Sequence, residues 1–216
     1  MSDVFDILGD ITIYLSVIYP IFYILGFSKN NKTYKIFTLY LIAIALVQIS
    51  LRLHKYVYPS QPNLYLFVYY FVSQFIFLSL FYYQLLKQKW ILFVGGATLL
   101  FIGVQYMVTP DMYFRYNPIG ASITQGLLVF YSLLYFYRSL SGKKEFLIVN
   151  VGIFFYLLSS ILIFASGNLV LDETIPAYIP SLLQDINISL YLIFQLLIIL
   201  EWWKNYSHSV VIKFKN

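Results

Sequence analysis

The apolar run from Pro176 to Trp203 carries polar side chains in its first half, and one of them is a carboxylate. Three of these residues are Gln184, Asp185 and Asn187. A carboxylate at membrane depth costs a few kcal/mol unless it meets a partner or water, so an ionisable residue in such a run predicts a functional site. We predict that the run forms the last of several membrane-spanning helices and that these three residues form one wall of a pocket.

Two further charged residues stand in other apolar runs, Asp10 in the first and Arg52 in the second. If each run is a helix, Asp10, Arg52 and Asp185 fall at similar depth, where an arginine beside two carboxylates offsets part of the cost of burying them. A purely structural ion pair explains the same pattern equally well. Alternatively, Arg52 extends its side chain to the lipid headgroups.

Amides and tyrosines occupy the corresponding ends of neighbouring runs. Such residues often only link helices, at well under ~1 kcal/mol per pair, but together they favour a hydrated cavity for a flat or amphipathic ligand. The other halves of the runs are mostly Leu, Ile, Phe and Tyr, which predicts an apolar plug beneath the pocket. The predicted ligand-binding residues are Asp10, Gln48, Arg52, Tyr65, Tyr69, Gln74, Gln125, Gln184, Asp185 and Asn187.

The sequence argues against several other chemistries. No lysine lies between Pro176 and Trp203, so the Schiff-base linkage of retinal proteins cannot form there. The chain has no cysteine and only two histidines, His54 and His208, on opposite predicted sides, which argues against a metal site. No candidate nucleophile has a suitable base in reach. We therefore expect no cofactor, no metal and no catalytic residue, and predict that the chain is not an enzyme.

The elements that would position these residues follow from composition. Of the 216 residues, 61% are hydrophobic and 11% charged, against roughly 25% charged in soluble domains. Seven apolar runs approach or exceed the ~20 residues that cross a bilayer. We predict an all-α membrane protein, a seven-transmembrane-helix bundle forming a single domain over 1–206, with a short tail at 207–216. The predicted helices are 4–26, 34–53, 64–86, 90–107, 119–137, 146–166 and 176–203.

The distribution of positive charge predicts how the bundle is oriented. Eleven of the 14 Lys and Arg residues fall in one set of alternate loops and the C-terminus, and three fall in the other set. Because short basic loops stay in the cytoplasm, the C-terminus is predicted to be cytoplasmic and the N-terminus outside. The basic residues form no cluster of five or more, so no nucleic-acid partner is expected.

Three segments between Tyr113 and Leu171, RYNPIGASITQ, FYRSLSGKKEF and LIFASGN, resemble small seven-helix proteins predicted in Bacteroidota genomes. The resemblance extends over nearly the whole chain and carries no established catalytic motif. It implies the same seven-helix topology, a bacterial inner membrane, and a sensory role exercised with a separate kinase.

A receptor-like membrane sensor with an outward-facing pocket fits this pattern best. A channel or transporter would carry polar residues along its whole path, or a site at the midplane between repeats. The predicted loops are too short for an output domain, so a small-molecule or lipid ligand would act through a separate cytoplasmic or membrane partner. A small-solute or ion transporter is the alternative, and a structural subunit of a membrane complex is the third possibility.

Overall fold

A computed structural model describes residues 2–60, 63–114, 117–142, 145–165, 176 and 178–207. Within these ranges the regular structure is entirely helical. A 3₁₀ turn, Pro110–Phe114, follows the fourth of seven α-helices. The α-helices are α1 Ser2–Leu25, α2 Lys32–Val57, α3 Tyr65–Leu86, α4 Trp90–Val108, α5 Pro118–Ser139, α6 Leu147–Ala165 and α7 Tyr178–Asn205. Most of the predicted tail, residues 208–216, lies outside the described residues.

Several helix ends are fixed by side chains that the sequence places there. The Asn31 side chain accepts the backbone N–H of Tyr34 at 2.9 Å and caps α2. Asn117 does the same for α5 by accepting the N–H of Gly120 at 2.8 Å. An N-cap of this kind satisfies one of the backbone N–H groups that have no partner in the first turn. These caps set where α2 and α5 begin.

The observed helices depart most from the predicted bounds in α2 and α7. Helix α2 was expected over 34–53 but continues to Val57, because the charged residues after Leu51 extend the helix rather than begin a loop. Arg52 therefore lies more than one turn before the end of the helix and not in its last turn, where the prediction placed it. Helix α7 was expected over 176–203 and begins two residues later, with Pro180 in its first turn, where a missing backbone N–H costs little.

Six helices form a closed ring in the order α1, α2, α3, α5, α6 and α7, with α7 packed against α1. Helix α4 packs on the outside of this ring, mainly against α3. Successive helices run in opposite directions, since Asn31 at the start of α2 contacts Glu145 before α6, and Arg138 of α5 contacts the last residue of α3. The end of the bundle at which these contacts lie is called the basic end, after its cations Lys32, Lys87, Arg138 and Lys204. The other end carries Arg52.

The bundle has dimensions and a surface that suit a bilayer. Six helices, all except α6, are long and apolar enough to cross a membrane, and α6 contributes a shorter apolar helix over Leu147–Ile163. Large apolar side chains stay exposed on the outer helix α4, including Phe93, Leu100 and Met107. A lipid surface is the environment in which such residues need no partner. These features indicate an integral membrane protein in contact with the lipid bilayer.

Close packing inside the ring rests mainly on aromatic residues. At the basic end, Phe37 contacts the rings of Tyr23, Phe81 and Phe146 at centroid distances of 5.2 to 5.4 Å. Between α6 and α7 the approach is closer still, because a Cβ added at Gly152 would lie 2.6 Å from the ring of Phe194. In a bilayer such van der Waals contacts replace the hydrophobic effect as the source of helix association.

Candidate functional site

A cavity of about 310 Å³ lies among α1, α2, α3, α6 and α7, towards the end of the bundle that carries Arg52. Its volume falls near the lower end of the range of small-molecule sites. Apolar side chains from Leu51, Leu64, Phe67 and Ile188 form part of the wall. The polar part of the wall comes from Thr12, Gln48, Asn63, Tyr70, Tyr156, Asn187 and Tyr191. We call this space the central cavity.

Two contacts among α3, α6 and α7 organise the tyrosines of the cavity wall. The hydroxyls of Tyr70 and Tyr156 lie 3.0 Å apart and form a buried hydrogen bond between α3 and α6. The ring of Tyr156 also stacks on Phe194 of α7, with centroids 5.5 Å apart and planes 10° from parallel. Near its mouth the cavity is bounded by Asn187, whose side-chain oxygen accepts a hydrogen bond from Ser160 at 3.3 Å.

Beneath the central cavity lies a group of buried polar side chains whose hydrogen-bonding capacity is only partly used. The Tyr191 hydroxyl lies beside Tyr19, Gln48 and Gln195, yet it has no hydrogen bond of normal geometry among the described residues. Gln195 donates to the Thr12 carbonyl at 2.8 Å, while its own oxygen stays without a partner in the same ranges. The group, which we call the polar layer, consists of Tyr19, Tyr40, Gln74, Tyr191 and Gln195.

The polar layer contains both a donor and an acceptor without partners among the described residues, the Gln74 amide nitrogen and the Gln195 amide oxygen. A buried polar group without a partner costs about 1–3 kcal/mol, so a rotation that pairs the Tyr191 hydroxyl with a neighbouring amide would recover part of that cost. Gln48 lines the cavity and also lies beside Tyr191. Any group that binds Gln48 from the cavity side would therefore change the partners available to the layer below.

Two of the ten predicted site residues line the central cavity, namely Gln48 and Asn187. Gln74 belongs to the polar layer below it. Gln125 of α5 is buried, and its side-chain oxygen has no partner among the described residues. Gln184 of α7 is exposed.

The predicted charge cluster is only partly assembled. Arg52 and Asp10 form an ion pair, with Nη1 and Oδ1 3.1 Å apart and both side chains half exposed. Exposed pairs of this kind contribute about 0–1 kcal/mol. Asp185 makes no ion pair with any residue in the described ranges. It lies in a groove beside Phe5 and Tyr178, because its position on α7 is turned away from the face that carries Asn187 and Tyr191.

The predicted tyrosines of α3 lie outside the cavity. Tyr65 stacks on Tyr113 of the 3₁₀ turn at 6.1 Å, and the Tyr113 hydroxyl donates to that of Tyr69 at 2.6 Å. Donating this hydrogen bond is the main reason that the pKa of Tyr113 is raised to about 12. Tyr65, Tyr69 and Tyr113 form an aromatic cap near the end of the bundle. Tyr70, one residue along from Tyr69, reaches the cavity instead.

Large apolar side chains such as Phe37, Phe81 and Ile198 are buried towards the basic end, but polar side chains are buried among them. At the basic end Glu201 of α7 is fully buried, and its carboxylate accepts the backbone N–H of Ile148 at 3.0 Å and of Val149 at 3.4 Å. Asn205 donates to the other carboxylate oxygen at 2.5 Å. The carboxylate thus caps the start of α6 from a different helix, an arrangement that the helix dipole favours.

A second buried polar group at this end involves Asn150 of α6. The Tyr82 hydroxyl donates to its side-chain oxygen at 2.7 Å, and its amide donates to the Ser132 carbonyl at 3.3 Å. Polar side chains therefore occur from the central cavity to the basic end. The prediction counted Tyr with the apolar residues and treated Asn150 and Gln195 as scattered exceptions.

In the ranges that the structure describes, no three His, Cys, Asp or Glu residues lie close enough together to hold a metal ion. The chain matches no protein-family model, and neither the curated proteins nor the solved structures compared with it give a match.

Proposed function

We propose that the chain is a receptor-like membrane sensor whose central cavity binds a small, uncharged, hydrogen-bonding molecule with a flat or amphipathic shape. The observation that carries the proposal is the cavity itself, in which amides and tyrosines from four helices and from the segment before α3, together with Thr12 of α1, surround about 310 Å³. In the orientation implied by the charge distribution, the protein spans a bacterial inner membrane with the cavity facing outward and the basic end on the cytoplasmic side. A separate signalling partner would bind the basic end and respond to its conformation.

Helix α7 supplies the connection between cavity and basic end in this proposal. Asn187, Tyr191 and Gln195 follow one another at four-residue intervals and so share one face of the helix. One turn further along, the Ile198 carbonyl accepts the Tyr23 hydroxyl of α1 at 3.0 Å, and Glu201 then caps α6. A ligand that repacks the polar layer would shift α7, provided that it binds the two arrangements with different affinity.

Single-cysteine labelling tests the cavity and its orientation without knowledge of the ligand. Because the natural chain has no cysteine, Gln48→Cys and Asn187→Cys each introduce one thiol into the cavity wall. A small, charged, membrane-impermeant thiol reagent added to intact cells should label both. Gln125→Cys, at a buried position of α5, is the matched control and should resist the reagent. Labelling only from the cytoplasmic side would refute the orientation, and labelling at none of the cavity positions would refute the cavity.

The sensing step is tested with spin labels at the basic end. Labels on Lys87→Cys and Lys204→Cys report the distance between α3 and α7 in lipid nanodiscs. A panel of neutral aromatic alcohols and amides, ranked first by thermal stabilisation of the protein, supplies the probes. A stabilising probe should change the distance distribution in the natural background and not when Asn187→Leu is added. Stabilisation with no distance change would refute the sensor.

One observation favours the second candidate function, a transporter of small solutes or ions. Polar side chains continue from the central cavity through Gln195 to Glu201, as a transport path would require. Reconstituted vesicles with a pH-sensitive dye or a trapped solute would show flux that Glu201→Gln abolishes. In the sensor, the same vesicles show no flux above that of protein-free controls.

A further inference from the structure

Two cavities meet at the basic end, and Arg138 lines both of them. The first, of about 420 Å³, lies among the start of α2, the end of α3 and the end of α5, and three cations line it, Lys32, Lys87 and Arg138. The second, of about 790 Å³, lies between the α3–α4 connection and the end of α5. We call them the basic cavity and the apolar groove.

The basic cavity carries an excess of positive charge that no described neighbour neutralises. Glu145 is the single carboxylate in its lining, and its side chain accepts a hydrogen bond from the Asn31 amide at 3.2 Å. Within the described ranges, none of the three cations forms an ion pair with a carboxylate. Arg138 donates one N–H to the Leu86 carbonyl, which positions the guanidinium and leaves its remaining donors for another acceptor.

Two of these lysines occupy positions that local backbone physics disfavours. Lys32 is the first residue of α2, where the positive end of the helix dipole opposes a cation. Lys87 ends α3 in the left-handed conformation, with φ 53° and ψ 30°, which favours glycine. The α3 dipole does favour a cation at its C-terminal end, so helix stability leaves Lys32 unexplained, whereas an anion held between the two lysines would account for it.

The apolar groove supplies the second half of an amphipathic site. Its walls include Leu86, Trp90, Phe130 and Leu134, and it adjoins the basic cavity at Arg138. Trp90 packs against Phe130 with ring centroids 6.2 Å apart, which gives the groove an aromatic side. A phosphate at Arg138 would place the rest of a lipid molecule along these walls. Basic pockets between membrane helices bind anionic headgroups in this way.

We propose that the basic cavity and the apolar groove together bind an anionic phospholipid, with the phosphate among Lys32, Lys87 and Arg138 and an acyl chain against Trp90 and Phe130. The site lies at the opposite end of the bundle from the central cavity and does not depend on the function proposed for that cavity. A bound lipid would bridge α2, α3 and α5, which meet at the basic cavity.

Native mass spectrometry of the detergent-solubilised protein tests the site. The protein is incubated with equal amounts of phosphatidylglycerol and phosphatidylcholine that have identical acyl chains, so that the headgroup is the only difference. We expect the natural chain to retain phosphatidylglycerol at least tenfold better. Each cation near an anionic lipid contributes about fivefold in affinity, so Lys32→Gln combined with Lys87→Gln should remove most of the preference.

A matched control separates the site from the general charge of this end. Lys204→Gln removes a lysine of the same end that lines neither cavity, and it should leave the preference within twofold of the natural value. The double lysine variant removes one partly buried hydrogen bond, which Lys87 donates to Gln84 at 2.9 Å, so thermal melting checks that the variant folds. Adding Arg138→Gln to the double lysine variant should reduce the retention of phosphatidylglycerol further. An equal loss in the Lys204 variant, or equal retention of both lipids, would overturn the proposal.

Soluble competitors identify the source of the phosphate. Inorganic phosphate and glycerol 3-phosphate carry the anion without acyl chains, so neither should displace bound phosphatidylglycerol at moderate excess. Displacement by either at concentrations that match the lipid would show that the cavity binds a free phosphate anion, and would overturn the lipid assignment. Replacement of Phe130 by Ala should weaken lipid retention and leave the headgroup preference intact.

Discussion

Replacing Glu201 should destabilise the bundle far more than replacing Glu145, although both carboxylates lie beside the start of α6. The Glu201 carboxylate is fully buried and accepts two backbone N–H groups of α6, one at 3.0 Å and a longer one at 3.4 Å. A hydrogen bond to a charged group contributes about 1.5–3 kcal/mol. Allowing less for the longer bond, we expect Glu201→Ala to lower the free energy of unfolding by about 2–4 kcal/mol.

The control variant Glu145→Ala removes a carboxylate that is partly exposed and accepts one side-chain hydrogen bond, from Asn31 at 3.2 Å. Its cost should stay below about 1 kcal/mol. Glu201→Gln keeps one acceptor oxygen and should fall between the two. Reversible unfolding in mixed detergent micelles, followed by circular dichroism, measures all three. Equal costs at positions 201 and 145 would refute the assignment of Glu201 as the cap of α6.

Three further variants test packing, the ion pair and the aromatic cap. Gly152→Ala should lower the melting temperature, at a cost of about 1–3 kcal/mol, because its Cβ would lie 2.6 Å from Phe194. An added Cβ at Gly96 has nothing within 4 Å, so Gly96→Ala should raise the stability slightly, since alanine favours a helix over glycine. Arg52→Gln should change the unfolding free energy by less than about 1 kcal/mol, because the pair with Asp10 is half exposed; a larger loss would show that the pair is buried in the membrane. Tyr69→Phe should lower the pKa of Tyr113 from about 12 towards its ordinary value. The measurement is the tyrosinate absorbance of each protein as pH is raised, and the pKa change appears in the difference between the two titration curves. Since that pKa is raised by folding, the contribution of Tyr113 to stability is complete below its unfolded pKa and is lost as pH rises through about 12.

Sequence periodicity predicted the helices well because each run is long, apolar and bounded by basic or proline-containing connections. It was less able to say which face of a helix points inward. Helix α3 carries tyrosine on adjacent stripes, and the prediction chose Tyr65 and Tyr69 together with Gln74. Of these, Gln74 lies on the buried stripe, which also holds Tyr70. A helix that is apolar all round has no contrast between a polar and an apolar face, so its sequence does not distinguish the two stripes.

Small-residue spacing was a similarly weak guide to close packing. Gly96 and Gly103 are seven residues apart on α4, a spacing that allows close helix approach, yet an added Cβ at either would meet nothing within 4 Å. Gly152 has no such partner in the sequence and is the glycine at which α6 and α7 approach. The difference lies in which helix a residue faces, and a single sequence does not contain that information.

The carboxylate that first drew attention to α7 does not line the central cavity. Asp185 faces a groove beside α1, and the residues that connect the cavity to the rest of the bundle begin two positions later, at Asn187. From there the same helix carries Tyr191 below the cavity and Glu201 at the start of α6. Because α7 is held at both ends of this series by hydrogen bonds to other helices, a displacement at Tyr191 must either bend α7 or strain the contact of Glu201 with α6. In the proposed sensor, the buried carboxylate of Glu201, rather than Asp185, is therefore the charged group that would transmit occupancy of the cavity to the basic end.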